Sequence, residues 1–180
     1  MLPVRKRMRL SCWDYSNVGC YFLTLCSKER KSIFSRIVGR GILDAPEVQL
    51  TSYGKCIYDA LSYLAQNNEA IELHNWVIMP NHVHILLSIT KVQGSLDGAS
   101  GMPRPTEAII PRFVSSIKRF TNKQSRVDLW QTGYYDHIIR DEKDFLCRWQ
   151  YIDNNPSAWL DDDYYVNENG ASGMPRPTKS

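Results

Sequence analysis

An α+β fold, with helices packed on one face of a sheet, is predicted by three observations. Segments of strand composition follow one another closely and alternate with segments whose apolar residues recur at i, i+3, i+4 and i+7. Hydrophobic residues make up 43% and charged residues 23% of the chain, the balance of a folded globular protein. The length of 180 residues accommodates one domain with its own core, followed by a tail. The domain is expected over residues 1–160, with a flexible linker at about 90–106 and a polar, disordered tail over 161–180.

The first strand is GCYFLTL (Gly19 to Leu25), rich in aromatic and β-favouring residues. From Thr51 the spacing becomes helical: Ile57, Ala60, Leu61 and Leu64 form one stripe, and the polar Gln66, Asn67 and Asn68 end it. IELHNWVIMPNHVHILLSI then gives two apolar strands flanking a break at Met79, Pro80 and Asn81. Ile110, Phe113, Val114 and Ile117 mark a second helix, amphipathic and basic. YYDHIIR (Tyr134 to Arg140) has strand composition, and Asp141 to Asn155 reads as a third helix stopped by Pro156.

Composition bounds the function. No apolar run approaches the roughly 18 residues that span a bilayer, and MLPVRKRMRL lacks the apolar segment of a signal peptide. A cytoplasmic protein without a membrane partner is expected. Five cysteines without a CxxC pair predict free, mostly buried thiols rather than a disulfide framework or zinc knuckle. The net charge of +3 is modest, but Arg5, Lys6, Arg7 and Arg9 crowd the N-terminus. Arg112, Lys118, Arg119, Lys123 and Arg126 share a stretch without an acid, from Ala108 to Val127. Charge alone fits a solvated helix face better than a polyanion site.

His82 and His84 stand two apart in a strand, so both imidazoles leave one face while Val83 points the other way. Two histidines on a rigid strand need one or two more ligands to hold a divalent metal. By itself the pair also fits two packed histidines. On the third helix, Phe145, Leu146, Trp149 and Ile152 form the apolar stripe, and Tyr151 lies about 150° from its centre. Asn155 follows four residues later on the same side as Tyr151. A phenol beside an amide carbonyl can set a nucleophile next to a metal, although with ten tyrosines in the chain a packing role is the commoner fate of any one.

NWVIMPNHVHILLSI, SSIKRFTNK, LWQTGYYDHIIRDEKDF and QYIDNNPSAW together resemble the REP-associated tyrosine transposases, relatives of the single-tyrosine HUH insertion-sequence transposases. The similarity runs from about Arg7 to Trp159 and keeps the motifs in order. It implies a ferredoxin-like fold, metal ligands at His82, His84 and Asn155, with Asn154 the weaker alternative, and a nucleophile at Tyr151. It also implies Mg²⁺ or Mn²⁺, and cleavage of single-stranded or hairpin DNA, often repetitive extragenic palindromes, through a 5′-phosphotyrosine. In this light Arg112, Lys118, Arg119 and Lys123 become phosphate contacts. Trp130, Gln131 and His137 are structural or substrate-facing, and the protein is a monomer or homodimer.

Two other readings remain: a catalytically silent binder of hairpin DNA or RNA with the same fold, and a metallonuclease in which water attacks. GASGMPRPT occurs twice, at Gly98 to Thr106 and Gly170 to Thr178, as a connector and in the tail. The repeat suggests one DNA element inserted twice in the reading frame, which freely differing silent positions in the two coding copies would refute.

Overall fold

The computed structural model describes residues 19–39, 46–90 and 109–165. The N-terminal basic cluster, the linker beyond Thr90 and both copies of GASGMPRPT lie outside them. The described elements are β1 (Gly19–Cys26), β2 (Ser35–Val38), β3 (Glu47–Leu50), α1 (Ser52–Asn67), β4 (Ile71–Ile78), β5 (His82–Ile89), α2 (Ile109–Ser125), β6 (Tyr135–Ile139) and α3 (Glu142–Asn154).

Four strands form one antiparallel sheet in the order β4-β5-β1-β6. β1 and β4 therefore run parallel with β5 between them and are joined by α1; β5 and β6 run parallel on either side of β1 and are joined by α2. Two interleaved split βαβ units of this kind make the ferredoxin-like arrangement. β2 and β3 pair separately, antiparallel. Sequence patterning does not predict this pair, because four-residue strands containing Arg36 or Glu47 and Gln49 carry too little periodicity.

The register of β1 against β5 decides which side chains share a face. Tyr21, Leu23 and Leu25 stand opposite Leu87, Ile85 and Val83, while Phe22, Thr24 and Cys26 stand opposite Leu86, His84 and His82. The first set is apolar and joins Ile57 and Leu61 of α1 with Ile110, Phe113, Val114 and Ile117 of α2 in the main core. On the second face Phe22 and Leu86 meet Ile152, Phe145 and Trp149 of α3. The helices thus cover one face with α1 and α2, as expected, but α3 departs from the expected single helical face and lies on the other. The reason is its narrow apolar strip, which matches the small patch left beside the histidines; Leu146 falls off that strip and is 51% exposed.

Local sequence explains the boundaries. Thr51 caps α1 by accepting from Gly54 N–H, and its hydroxyl lies within hydrogen-bond distance of the Ile33 and Phe34 carbonyls. Asp141 caps α3 through Asp144 N–H. A Cβ at Gly54 would collide with the Phe34 backbone carbonyl. Gly54→Ala is therefore expected to destabilise the protein by about 1–3 kcal/mol, since neither backbone can yield, and urea unfolding would measure it.

The described cysteines Cys20, Cys26, Cys56 and Cys147 are free, as expected, but they are not mostly buried: three are half-buried and Cys147 is exposed. Among the described residues no helix is long and apolar enough to cross a membrane. The chain remains packed past residue 160, through a 3-10 turn at Trp159–Asp161 and on to Tyr165, whose ring meets Trp159.

Candidate active site

β5 carries His82 and His84 on its α3-facing side, fully buried, with ring centroids 4.4 Å apart. Each ring is fixed through Nδ1. Asn81 Nδ2 donates to the backbone carbonyls of Arg30 (3.2 Å) and Tyr164 (2.7 Å), so its Oδ1 must be the atom that faces His82 Nδ1 at 2.9 Å. His82 Nδ1–H then donates, which leaves Nε2 a bare lone pair. Thr24 Oγ1 holds His84 Nδ1 at 2.9 Å. Neither Nε2 has a hydrogen-bond partner among the described residues.

Burial keeps both rings neutral. It pushes His82 down to about 3, with the Arg30 charge adding to the effect, and holds His84 well below the ordinary histidine range, with His82 adding to the effect. A neutral imidazole is the form that ligates metal.

α3 brings the other partners. Tyr151 sets its ring edge-on to His84 (5.2 Å between centroids) and Phe22 (5.9 Å), and remains 39% exposed. Its hydroxyl donates to Asp162 Oδ2 at 3.4 Å, and Asn155 Nδ2 donates to the same oxygen at 2.9 Å. Asn155 is buried and its Oδ1 has no partner among the described residues, whereas Asn154 is exposed. Burial first, then the Asp162 charge, pushes the Tyr151 phenol up to about 12.

His82, His84 and Asp162 each offer a donor atom, all within 4.8 Å of one another. Two orphaned, buried imidazole nitrogens facing a carboxylate oxygen make a donor set that fits a divalent cation. The structure thus brings together His82, His84, Tyr151 and Asn155 from two elements far apart in sequence.

No family model matches the chain. An uncharacterised protein of Haemophilus influenzae is 31% identical over 174 residues, which cover 90% of this chain and 93% of that protein. A REP-associated tyrosine transposase of Escherichia coli K12 is 24% identical over 91 residues, 51% of this chain and 47% of its own length. A solved REP-associated tyrosine transposase bound to a REP hairpin shares the fold, with a TM-score of 0.52 and 19% identity, covering 78% of this chain and 68% of that one. In sequence and fold the chain is similar to the REP-associated tyrosine transposases.

Other residues singled out by the sequence fall elsewhere. Arg112, Arg119 and Lys123 are exposed on α2, across the sheet from the histidines. Arg119 and Lys123 flank a groove of about 550 Å³ between α1 and α2, with the exposed aromatics Tyr63 and Phe120. Lys118 is not available to a phosphate as expected: its ammonium donates to the Gln131 and Gly133 carbonyls at 2.7 and 2.5 Å. Trp130 is structural, donating to Thr121 Oγ1 at 2.8 Å and packing on Phe34. His137 binds Asp144, which accepts from Arg148, whose guanidinium lies 5.5 Å from the Phe22 ring centroid.

Sequence reasoning missed two site residues. Asp162 sits in an acidic run that reads as a solvated tail. Tyr164, two residues on, lays its ring 4.6 Å from His82 with the Arg30 guanidinium 5.0 Å from its own ring centre. Neither position has a periodic pattern that would mark it.

Proposed function

We propose that the protein cleaves and rejoins single-stranded or hairpin DNA, with Tyr151 as the nucleophile and a divalent metal, Mg²⁺ or Mn²⁺, held by His82, His84 and Asn155. The observation that carries this reading is the Tyr151 hydroxyl, delivered by α3 to the mouth of the buried His82–His84 pair, 3.4 Å from a carboxylate at the same site. Of the two tyrosines at the site, Tyr164 spends its ring on His82 and Arg30, while Tyr151 keeps a face open to a substrate.

In this reading the phenol oxygen of Tyr151 attacks the scissile phosphorus, its proton passes to solvent or to Asp162, and the 3′ oxygen leaves. The product is a 5′-phosphotyrosine and a free 3′ hydroxyl, and a DNA 3′ hydroxyl attacking the phosphotyrosine rejoins the strand. The bound cation supplies Lewis acidity at the phosphate and offsets the local negative charge. Asn81 and Thr24 orient the two imidazoles, and Phe22 with His84 braces the Tyr151 ring.

A solved protein of the same fold is bound to a REP hairpin, and a hairpin of palindromic repeat DNA is the substrate proposed here. Arg112, Arg119 and Lys123 are assigned to its phosphates, on the face away from the chemistry. Replacing Arg119 and Lys123 together by Ala is expected to weaken hairpin binding and reduce the slope of log affinity against log salt by about 1.8 on a duplex stem. Fluorescence anisotropy at several salt concentrations would measure it; an unchanged slope would remove these residues from the interface.

Incubation of a labelled hairpin oligonucleotide with the protein, with and without Mn²⁺, tests the function itself. A metal-dependent covalent protein–DNA band on a denaturing gel is expected. Tight binding without any cleavage across hairpins of the host genome would indicate a silent binding protein instead.

A further inference from the structure

We infer that Asp162 is an anionic ligand of the metal ion, joining His82 and His84 and held in place by Asn155; this rests on the metal-dependent reading above. Two buried imidazole nitrogens and a carboxylate oxygen converge. His82 Nε2 is a lone pair by the Asn81 constraint, His84 Nε2 has no hydrogen-bond partner among the described residues, and a carboxylate oxygen of Asp162 lies within 4.8 Å of both nitrogens. Lone pairs pointed at a carboxylate repel unless a cation lies among them.

Among the described residues Asp162 forms no ion pair with lysine or arginine. What it does receive orients it: Tyr164 N–H donates to Oδ1 at 2.7 Å, and Asn155 Nδ2 at 2.9 Å and the Tyr151 hydroxyl at 3.4 Å both donate to Oδ2. Oδ1, with a single donor, keeps a lone pair for a metal, in the manner of ligating carboxylates steadied by neighbouring donors. Because Asn155 gives its amide nitrogen to Asp162, its Oδ1 is free to be a second oxygen ligand, and the two roles are compatible.

The chemistry favours an anionic oxygen here. Two neutral imidazoles and an amide supply no charge, whereas Mg²⁺ and Mn²⁺ bind best where carboxylate oxygen contributes. Asp161 and Asp163 are exposed, so the central member of the acidic run is the one turned inward.

Binding of MnCl₂ to the full chain without DNA, followed by calorimetry, tests the inference. Asp162→Asn is expected to lower Mn²⁺ affinity at least about 10-fold, while Asp163→Asn leaves it unchanged. Wild-type affinity in Asp162→Asn, together with lost binding in His82→Ala, would overturn the role of Asp162 and leave the metal site standing. Absence of Mn²⁺ binding by the wild type would overturn the metal reading and this inference together. Should Asp162→Asn fail to fold by circular dichroism, ¹³C-aspartate labelling of the wild type decides: Mg²⁺ is expected to shift the Asp162 Cγ resonance, and an unmoved resonance would refute ligation.

Discussion

Tyr151→Phe is expected to abolish the covalent protein–DNA species and to lower strand cleavage at least about 10³-fold, with hairpin affinity nearly unchanged. The substitution removes one oxygen. The ring contacts with His84 and Phe22 survive, and what is lost are the hydroxyl's contacts with Asp162, at 3.4 Å, and with Asn155. Because the side chain is 39% exposed, stability should change little, which separates a chemical effect from a folding effect. Cleavage that persisted without a covalent species would move the nucleophile to water and make the protein a metallonuclease. A covalent species that persisted would point to Tyr164, the other tyrosine at the histidines.

His84→Ala carries the second-largest expected effect: loss of measurable Mn²⁺ binding and a fall in cleavage of at least about 100-fold. His84 sits at the centre of the site, stacked on Phe22, edge-on to Tyr151 and hydrogen-bonded to Thr24. Truncation therefore removes a ligand and also loosens the nucleophile. His84→Asn separates the two effects, since an amide keeps a polar partner for Thr24 and is a poorer metal ligand than imidazole. If both variants cleave like the wild type at saturating Mn²⁺, the histidines are packing residues and the metal lies elsewhere.

Much of this architecture is legible in the sequence because its signals are long and periodic. The eight-residue apolar strands β1 and β5 and the i, i+3, i+4 stripes of α1 and α2 bury the residues their spacing marks. Asp141 and Pro156 fix the ends of α3 by capping and by breaking. Alternation along β5 places His82 and His84 together, and helical spacing places Asn155 beside Tyr151, without any tertiary knowledge.

What the sequence does not show depends on tertiary choices that local patterns do not encode. Whether α3 joins α1 and α2 or takes the opposite face is decided by its strip of Phe145, Trp149 and Ile152 fitting Phe22 and Leu86, a match between distant elements. Lys118 has the composition and spacing of its basic neighbours on α2, and the carbonyls presented by the loop at Gln131 and Gly133 engage its ammonium. Asp162 lies beyond a helix stop in a run of three aspartates, a context that reads as solvated, yet the chain returns and turns that carboxylate onto the histidines. Helical periodicity ends at Asn155, so no spacing rule reaches seven residues further.

The central claim is that Tyr151 becomes covalently attached to DNA. Digestion of the protein after reaction with a hairpin oligonucleotide and Mn²⁺, followed by mass spectrometry of the peptide–nucleotide adduct, measures it directly. The account predicts a 5′-phosphorylated nucleotide on the peptide containing Tyr151, absent when EDTA replaces Mn²⁺. A cleaved hairpin with no peptide adduct, or an adduct mapped to another residue, would contradict it.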